Sequence, residues 1–205
     1  MDLTFSAAEE TFRAELRAWL QTHLPANWDP ADPPEFPTLA AEVAFLRAWQ
    51  RTLAAAGWVG IHWPVACGGR GATAIEHYIF QEEMAALRAP EIINRIGVNL
   101  VGPTLIKHGT EQQQQRFLPG LLPADELWCQ LFSEPGAGSD LTAVRTRAEP
   151  TADGWRLTGQ KVWTSYAQFA RWGICLARTD PAAPKARGIS YLIVDMQAPG
   201  VTVRP

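Results

Sequence analysis

Two short runs carry the residue types best suited to chemistry. The first, Ser133-Glu134-Pro135-Gly136-Ala137-Gly138-Ser139-Asp140, follows an apolar stretch and places two glycines among hydroxyls, carboxylates and a proline that stiffens its entry. Glycine lets a backbone approach a ligand or adopt positive φ, and consecutive amides in such a turn can form an anion-binding concavity. A tight turn that binds nothing would need the same residues. A dinucleotide-binding G-x-G-x-x-G is absent, and Ser139 does not lie in the G-x-S-x-G of a hydrolase elbow. The second run, Gly159-Gln160-Lys161-Val162-Trp163-Thr164-Ser165, begins twenty residues after Ser139. An indole and two hydroxyls at a strand end can stack on and hydrogen-bond a planar heterocycle.

Other reactive residue types read as structural. His23, His62, His77 and His108 show no ligand spacing, so no metal site is expected. Glu82 and Glu83 lie on a predicted helix without a partner acid or base and read as surface or capping charges. Arg145 and Arg147 alternate with small or apolar residues and read as one solvated strand face. Cys129 sits at an apolar strand position, which predicts an inert buried thiol. The three cysteines are odd in number and outside any C-x-x-C spacing, as expected of free thiols in a reducing cytoplasm.

The elements that must position the two runs fall into an α+β arrangement, helices first and strands after. Ser6 with Glu9 is a capping-box pattern opening a helix with Phe12, Leu16, Trp19 and Leu20 on one stripe. The proline-rich stretch from His23 to Pro37 predicts an irregular connection. A second helix is expected over 39–56, ended by Gly57, and a third from the Thr73/Glu76 capping box to Leu87. Leu100–Lys107 and a segment capped by Thr110 complete the helical part. Strands are expected over 128–132, 143–149, 154–162, 172–177 and 188–194, with Asp153-Gly154 as a hairpin turn. Their short spacing without helices predicts an antiparallel, barrel-like sheet. The domains are therefore expected at 1–123 and 124–205.

Composition narrows the function classes. With 47% apolar and 19% charged residues the chain is globular. A net charge of -3 without a long basic run argues against nucleic acid or an anionic membrane surface as partner. No apolar run approaches the roughly 20 residues of a membrane span. The start, Met1-Asp2-Leu3-Thr4, lacks a signal pattern, so the cytoplasm is the expected location.

In combination and spacing the two runs resemble the flavin-cradling segments of the acyl-CoA dehydrogenase family. The resemblance continues in order along the chain, through Gly57-Trp58 to Trp63-Pro64, Gly68-Gly69-Arg70-Gly71, His108-Gly109-Thr110-Glu111-Gln112 and Arg116-Phe117-Leu118-Pro119. It resumes with Trp128-Cys129-Gln130, Arg178-Thr179-Asp180 and Pro199-Gly200-Val201-Thr202-Val203-Arg204-Pro205. It implies FAD as cofactor, an acyl-CoA thioester as substrate, an electron-transfer acceptor and a homo- or hetero-oligomer. By position Gln130, Phe132 and Ser133 lie along the flavin, and Gly138 and Ser139 approach its phosphates. Ser139 also meets the CoA portion of the substrate, Trp163 covers the flavin, and Thr164 and Ser165 flank it.

The chain departs from the family twice. Thr164-Ser165-Tyr166 stands where Ile-Thr-Asn is frequent, and Arg171 stands where an aspartate is common. The family's catalytic base is a glutamate on a C-terminal helical domain that these 205 residues do not match, so no catalytic residue is assigned. Glu134 belongs to the turn. The resemblance thus implies a truncated form or fragment of a lipid-metabolising dehydrogenase, inactive alone, with an incomplete β domain. Alternatives on the same scaffold are a non-catalytic subunit of a heteromeric dehydrogenase and a related acyl-CoA oxidase or flavin monooxygenase.

Overall fold

A computed structural model describes residues 4–26 and 28–204, and the chain divides into two compact units, 1–125 and 126–205. The helical unit contains α1 (Ala7–His23), α2 (Leu39–Ala55), α3 (Ala74–Ala86), α4 (Gly102–His108) and α5 (Glu111–Leu121). Local chemistry fixes where they begin. The Ser6 hydroxyl accepts from the Glu9 amide while the Glu9 carboxylate accepts from the Ser6 amide, and the same reciprocal box occurs at Thr73/Glu76 and Thr110/Gln113. Thr38 caps α2 with its side chain alone.

The core of this unit buries Leu16 and Leu20 of α1, Trp49 and Leu53 of α2, Ile79 of α3 and Trp58, whose ring meets Phe12, Trp19 and Phe80. The Arg70 guanidinium lies 3.6 Å from the centroid of the Trp58 ring. It donates to the carbonyls of Ala56 and Gly57, closing the C-terminal end of α2. A single turn of π-helix, Gly97–Val101, leads into α4 with Pro103 in the first turn, where its missing amide costs nothing. Glu83 departs from expectation. It is 2% exposed, and Arg17 and Arg13 of α1 donate to it at 2.7–2.8 Å, so it staples α3 to α1. Arg17 first, then Arg13, hold its carboxyl below the usual range.

The second unit is a five-stranded sheet of β1 (Trp128–Leu131), β2 (Arg147–Thr151), β3 (Gly154–Thr158), β4 (Trp172–Arg178) and β5 (Ile189–Asp195). The α+β class is as expected, but the sheet is mixed and does not close among the described residues. β4 pairs antiparallel with β5 along its whole length, from Trp172↔Asp195 to Arg178↔Ile189. On its other side it pairs in parallel with β1, Trp128↔Trp172 to Leu131↔Cys175, and meets β2 in parallel at Arg147↔Arg178. The parallel pairing is possible because some forty residues separate β1 from β4, room for a crossover that a hairpin lacks. β2 and β3 form a hairpin in which Gly154, at φ +150°, is the first residue of β3. No helix among the described residues is long and apolar enough to cross a membrane.

Candidate functional site

β1 delivers the chain into the first glycine-bearing run. Gln130 is half-buried on β1, paired with Ile174, and Phe132 follows, its ring edge-on to Tyr191 at 6.2 Å. Beyond Ser133 the backbone doubles back at once. The Glu134 amide donates to the Ala137 carbonyl at 2.8 Å and the Ala137 amide returns the bond at 3.1 Å. This tight turn leaves Gly136, Gly138 and Ser139 exposed, and an added Cβ on either glycine would meet nothing within 4 Å. Asp140 then caps a short 3-10 turn, accepting from the Thr142 amide and hydroxyl. That turn and the extended Val144–Thr146 delay β2 to Arg147.

One buried ion pair joins this run to the second. The Lys161 ammonium donates to Glu134 Oε1 at 2.8 Å, to the Phe132 carbonyl at 3.0 Å and to the Leu176 carbonyl of β4 at 2.7 Å. Glu134 accepts further from the amides of Arg145 at 2.6 Å and Thr146 at 2.9 Å. Burial pushes the Glu134 carboxyl up, but the Lys161 bond and these amides outweigh it and hold the pKa at about 2. Glu134 is thus ionised and holds three donors, two on Oε1 and one on Oε2, a lock for the turn. The Val162 amide donates to the Ser133 carbonyl at 3.0 Å, so the two runs lie side by side. Gly159 permits a second close passage, since a Cβ there would stand 2.2 Å from Thr146 Oγ1.

Trp163 follows directly and is conspicuous. Its side chain is 92% exposed, on a backbone at φ +58° that costs a bulky residue energy. Thr164 Oγ1 is buried without a hydrogen-bond partner, and Ser165 is exposed. The structure therefore brings Phe132 and Ser133 beside the irregular segment Lys161–Trp163, β3 having ended at Thr158 and not at Val162 as expected, with Gly138 and Ser139 on the open turn that follows Ser133. Arg145 and Arg147 are exposed.

Sequence reasoning missed three supporting groups. Lys161 is the lock between the runs, and its only signal was a lysine inside an otherwise uncharged segment. Arg178 donates to the carbonyls of Thr142, Val144 and Lys185, tying down the loop after the turn. Arg171, which replaces the expected aspartate, pairs with Asp195 across the β4–β5 ladder and lies over the Trp172 ring. Cys129 is buried, and desolvation pushes its thiol up to about 12, that of an inert packing residue as expected.

The arrangement offers a planar heterocycle an exposed indole and hydroxyls, and offers an anion an open glycine turn. Comparison with known proteins identifies the family. The family model described as "Acyl-CoA dehydrogenase, N-terminal domain" matches residues 6–125, and "Acyl-CoA dehydrogenase, middle domain" matches residues 129–205. Acyl-CoA dehydrogenase IpdE1 of Mycobacterium tuberculosis is 46% identical over 198 residues, covering 96% of this chain and 51% of IpdE1. Among solved structures, the Tcur3481-Tcur3483 steroid ACAD superposes with a TM-score of 0.80 at 37% identity, covering 98% of this chain and 50% of that one. The ChsE4-ChsE5 complex from Mycobacterium tuberculosis superposes at 0.83 with 34% identity, covering 98% and 49%. The chain thus spans about half the length of each of these relatives.

Proposed function

The chain belongs to the acyl-CoA dehydrogenase family, a family of FAD-dependent oxidoreductases, and on that premise we propose that it supplies the flavin- and thioester-cradling part of such an enzyme. The observation that carries this reading is the exposed indole of Trp163, held at positive φ beside Ser133 by the Lys161–Glu134 lock. A large aromatic side chain so exposed on strained backbone is explained by a partner that covers it.

The residues present fit FAD. In this reading Trp163 stacks on the flavin, while Phe132, Ser133, Thr164 and Ser165 line it and Gln130 supports it from β1. The unpartnered Thr164 hydroxyl gives one hydrogen-bonding group for it. Gly138 and Ser139 receive the pyrophosphate on the open turn, and Ser139 also contacts the CoA part of the substrate. Bound FAD supplies the two-electron acceptor for oxidation across the Cα–Cβ bond of an acyl-CoA. The chain's own contribution is to orient, stack and exclude water on one side. An α-proton must still go to a base, and Glu134, buried, paired with Lys161 and with its pKa held at about 2, is too weak a base to serve. That base lies outside these residues, so the isolated chain is inactive. In the complete enzyme an electron-transfer acceptor would reoxidise the flavin, and we place the protein in the cytoplasm.

A second reading, a subunit of a heteromeric dehydrogenase, is favoured by two solved relatives whose titles name pairs of proteins. The steroid named in one title points to a bulky acyl group as substrate class.

The test is a visible absorption spectrum of the chain after incubation with FAD and gel filtration, compared with Trp163→Ala. Because Trp163 is almost fully exposed, its loss should change stability by no more than about 0.5 kcal/mol. Flavin retention, weak in the parent chain, should fall further. Equal retention by both proteins would sink the assignment of Trp163.

A further inference from the structure

Two imidazoles meet inside the helical unit. His62 lies on the segment that follows α2 and His77 on α3, and their rings pack edge-on with centroids 4.9 Å apart. Neither backbone is free to widen that gap. Ile61 and Trp63, on either side of His62, are 2% and 1% exposed. The Ile61 carbonyl accepts from the amides of Arg70 and Ala72, and the Trp63 indole donates to the Val98 carbonyl. His77 rides on a helix whose Ile79 is fully buried and whose Glu83 is gripped by Arg13 and Arg17.

This setting suits neutral rings and resists charged ones. His62 Nδ1 is buried without a hydrogen-bond partner. As a bare lone pair that nitrogen costs less than as the N–H of an imidazolium, a charged donor without an acceptor. The Gln81 amide donates to His77 Nε2 at 3.5 Å, a bond that a proton on that nitrogen cancels. The carboxylates around the pair are already taken. Glu76, beside His77 on α3, accepts from the Thr73 amide, and Glu82 and Glu83 hold the arginines of α1. Arg70, bonded to the His62 segment, stacks on Trp58 and pairs with Glu15. The other charges bordering the cavity that both rings line are Arg88, Glu91 and Arg95, and Glu91 is paired with Arg95 at 2.6 Å. Burial first, and then His77, push the His62 pKa below its ordinary value.

We propose that His62 and His77 form an acid-sensitive latch. The segment Trp58–Trp63 and α3 stay packed while the pair holds at most one proton, and entry of the second opens the helical unit along this seam. An open segment takes up the His62 proton near the ordinary 6.5 and the closed one only at lower pH, so acid favours the open form. The latch is fully closed above about pH 7 and weakens as pH falls toward about 5.

Ring nitrogen-15 NMR of the chain between about pH 8 and pH 5 reads the pair directly. His77→Gln removes one of the two charges, and the His62 midpoint should then rise by about 0.5–1 pH unit. A midpoint that this variant leaves in place overturns the proposal. Hydrogen exchange of the Arg70 and Ala72 amides, both bonded to the Ile61 carbonyl, reads the seam. Corrected for the intrinsic pH dependence of exchange, their opening should become about tenfold more frequent from pH 7 to pH 5 in the parent, and about twofold or less in His77→Gln. His77 is half-buried, and should its replacement still fail to fold, His62→Phe removes the other charge and should flatten the same acid dependence. Exchange that steepens in acid as much in the folded variant as in the parent overturns the latch. No flavin enters these measurements, so their outcome is independent of the proposed function.

Discussion

Lys161 satisfies three acceptors from one ammonium, and each lies on a different segment: the turn carboxylate, the end of β1 and β4. Its side chain and that of Glu134 are 9% and 6% exposed, so neither charge can turn to water if the other is removed. Lys161→Met should therefore destabilise the β unit by about 3 kcal/mol in urea denaturation, the cost of a buried carboxylate left without its cation. The same pair sets a pH dependence. The folded pKa of Glu134, about 2, lies below its ordinary 4.5, so the unfolded chain binds the extra proton first as pH falls. Its stabilisation is complete above roughly pH 4.5 and declines toward pH 2, with about 2 kcal/mol gone by pH 3. Glu134→Gln should be less stable at pH 7 and should lose less stability between pH 7 and pH 3 than the parent. Parallel acid limbs in the two proteins would contradict the lock. The glycines and hydroxyls of the turn were legible in the sequence because turn chemistry is local. The lock was not, because 27 residues separate its members and nothing in either neighbourhood names the other.

Among the elements, α4 depends on one close approach. A Cβ on Gly102 would stand 1.9 Å from Trp63 Cζ2, and Trp63 is 1% exposed, with its indole N–H donated to the Val98 carbonyl. The indole cannot swing away without breaking that bond. Gly102→Ala should cost about 2–3 kcal/mol by overpacking, visible as a lowered thermal midpoint in circular dichroism, even though alanine is the better helix former. A midpoint unchanged or raised would mean that the indole yields freely. Helix starts were readable from two hydroxyl-x-x-Glu boxes and the Thr110 cap, because both halves of each box lie within one turn, and Gln113 completes a third box at Thr110. The Glu83 staple escaped notice for the opposite reason, since its arginines stand 66 and 70 residues away. Strand positions were also readable from composition, although β2 begins four residues later and β3 ends four residues earlier than expected. Their directions were not, since the parallel β1–β4 pairing depends on where the intervening hairpin goes, which no residue in either strand encodes.

At the scale of the molecule, the described residues end several interactions halfway. β5 pairs only with β4, its seven residues are all half-buried, and Trp163 stands almost fully exposed. A sheet edge with unpaired backbone groups and an uncovered aromatic are both stabilised by further polypeptide. The family's base is likewise unmatched here, and two similar solved assemblies carry titles naming two proteins. These features lead to one expectation. Mixed with a complete acyl-CoA dehydrogenase such as IpdE1 at micromolar concentration, the chain should elute earlier from a sizing column, and flavin absorbance should co-elute with it. Tryptophan emission should shift to the blue as Trp163 and the flavin it stacks on are enclosed by the partner, and Trp163→Phe should remove most of that shift, which ties the association to this surface. A blue shift that persists in Trp163→Phe would move the contact elsewhere on the chain. Separate elution at every ratio tested would exclude docking on that relative and leave the reading in which the base and the missing cover belong to the same polypeptide.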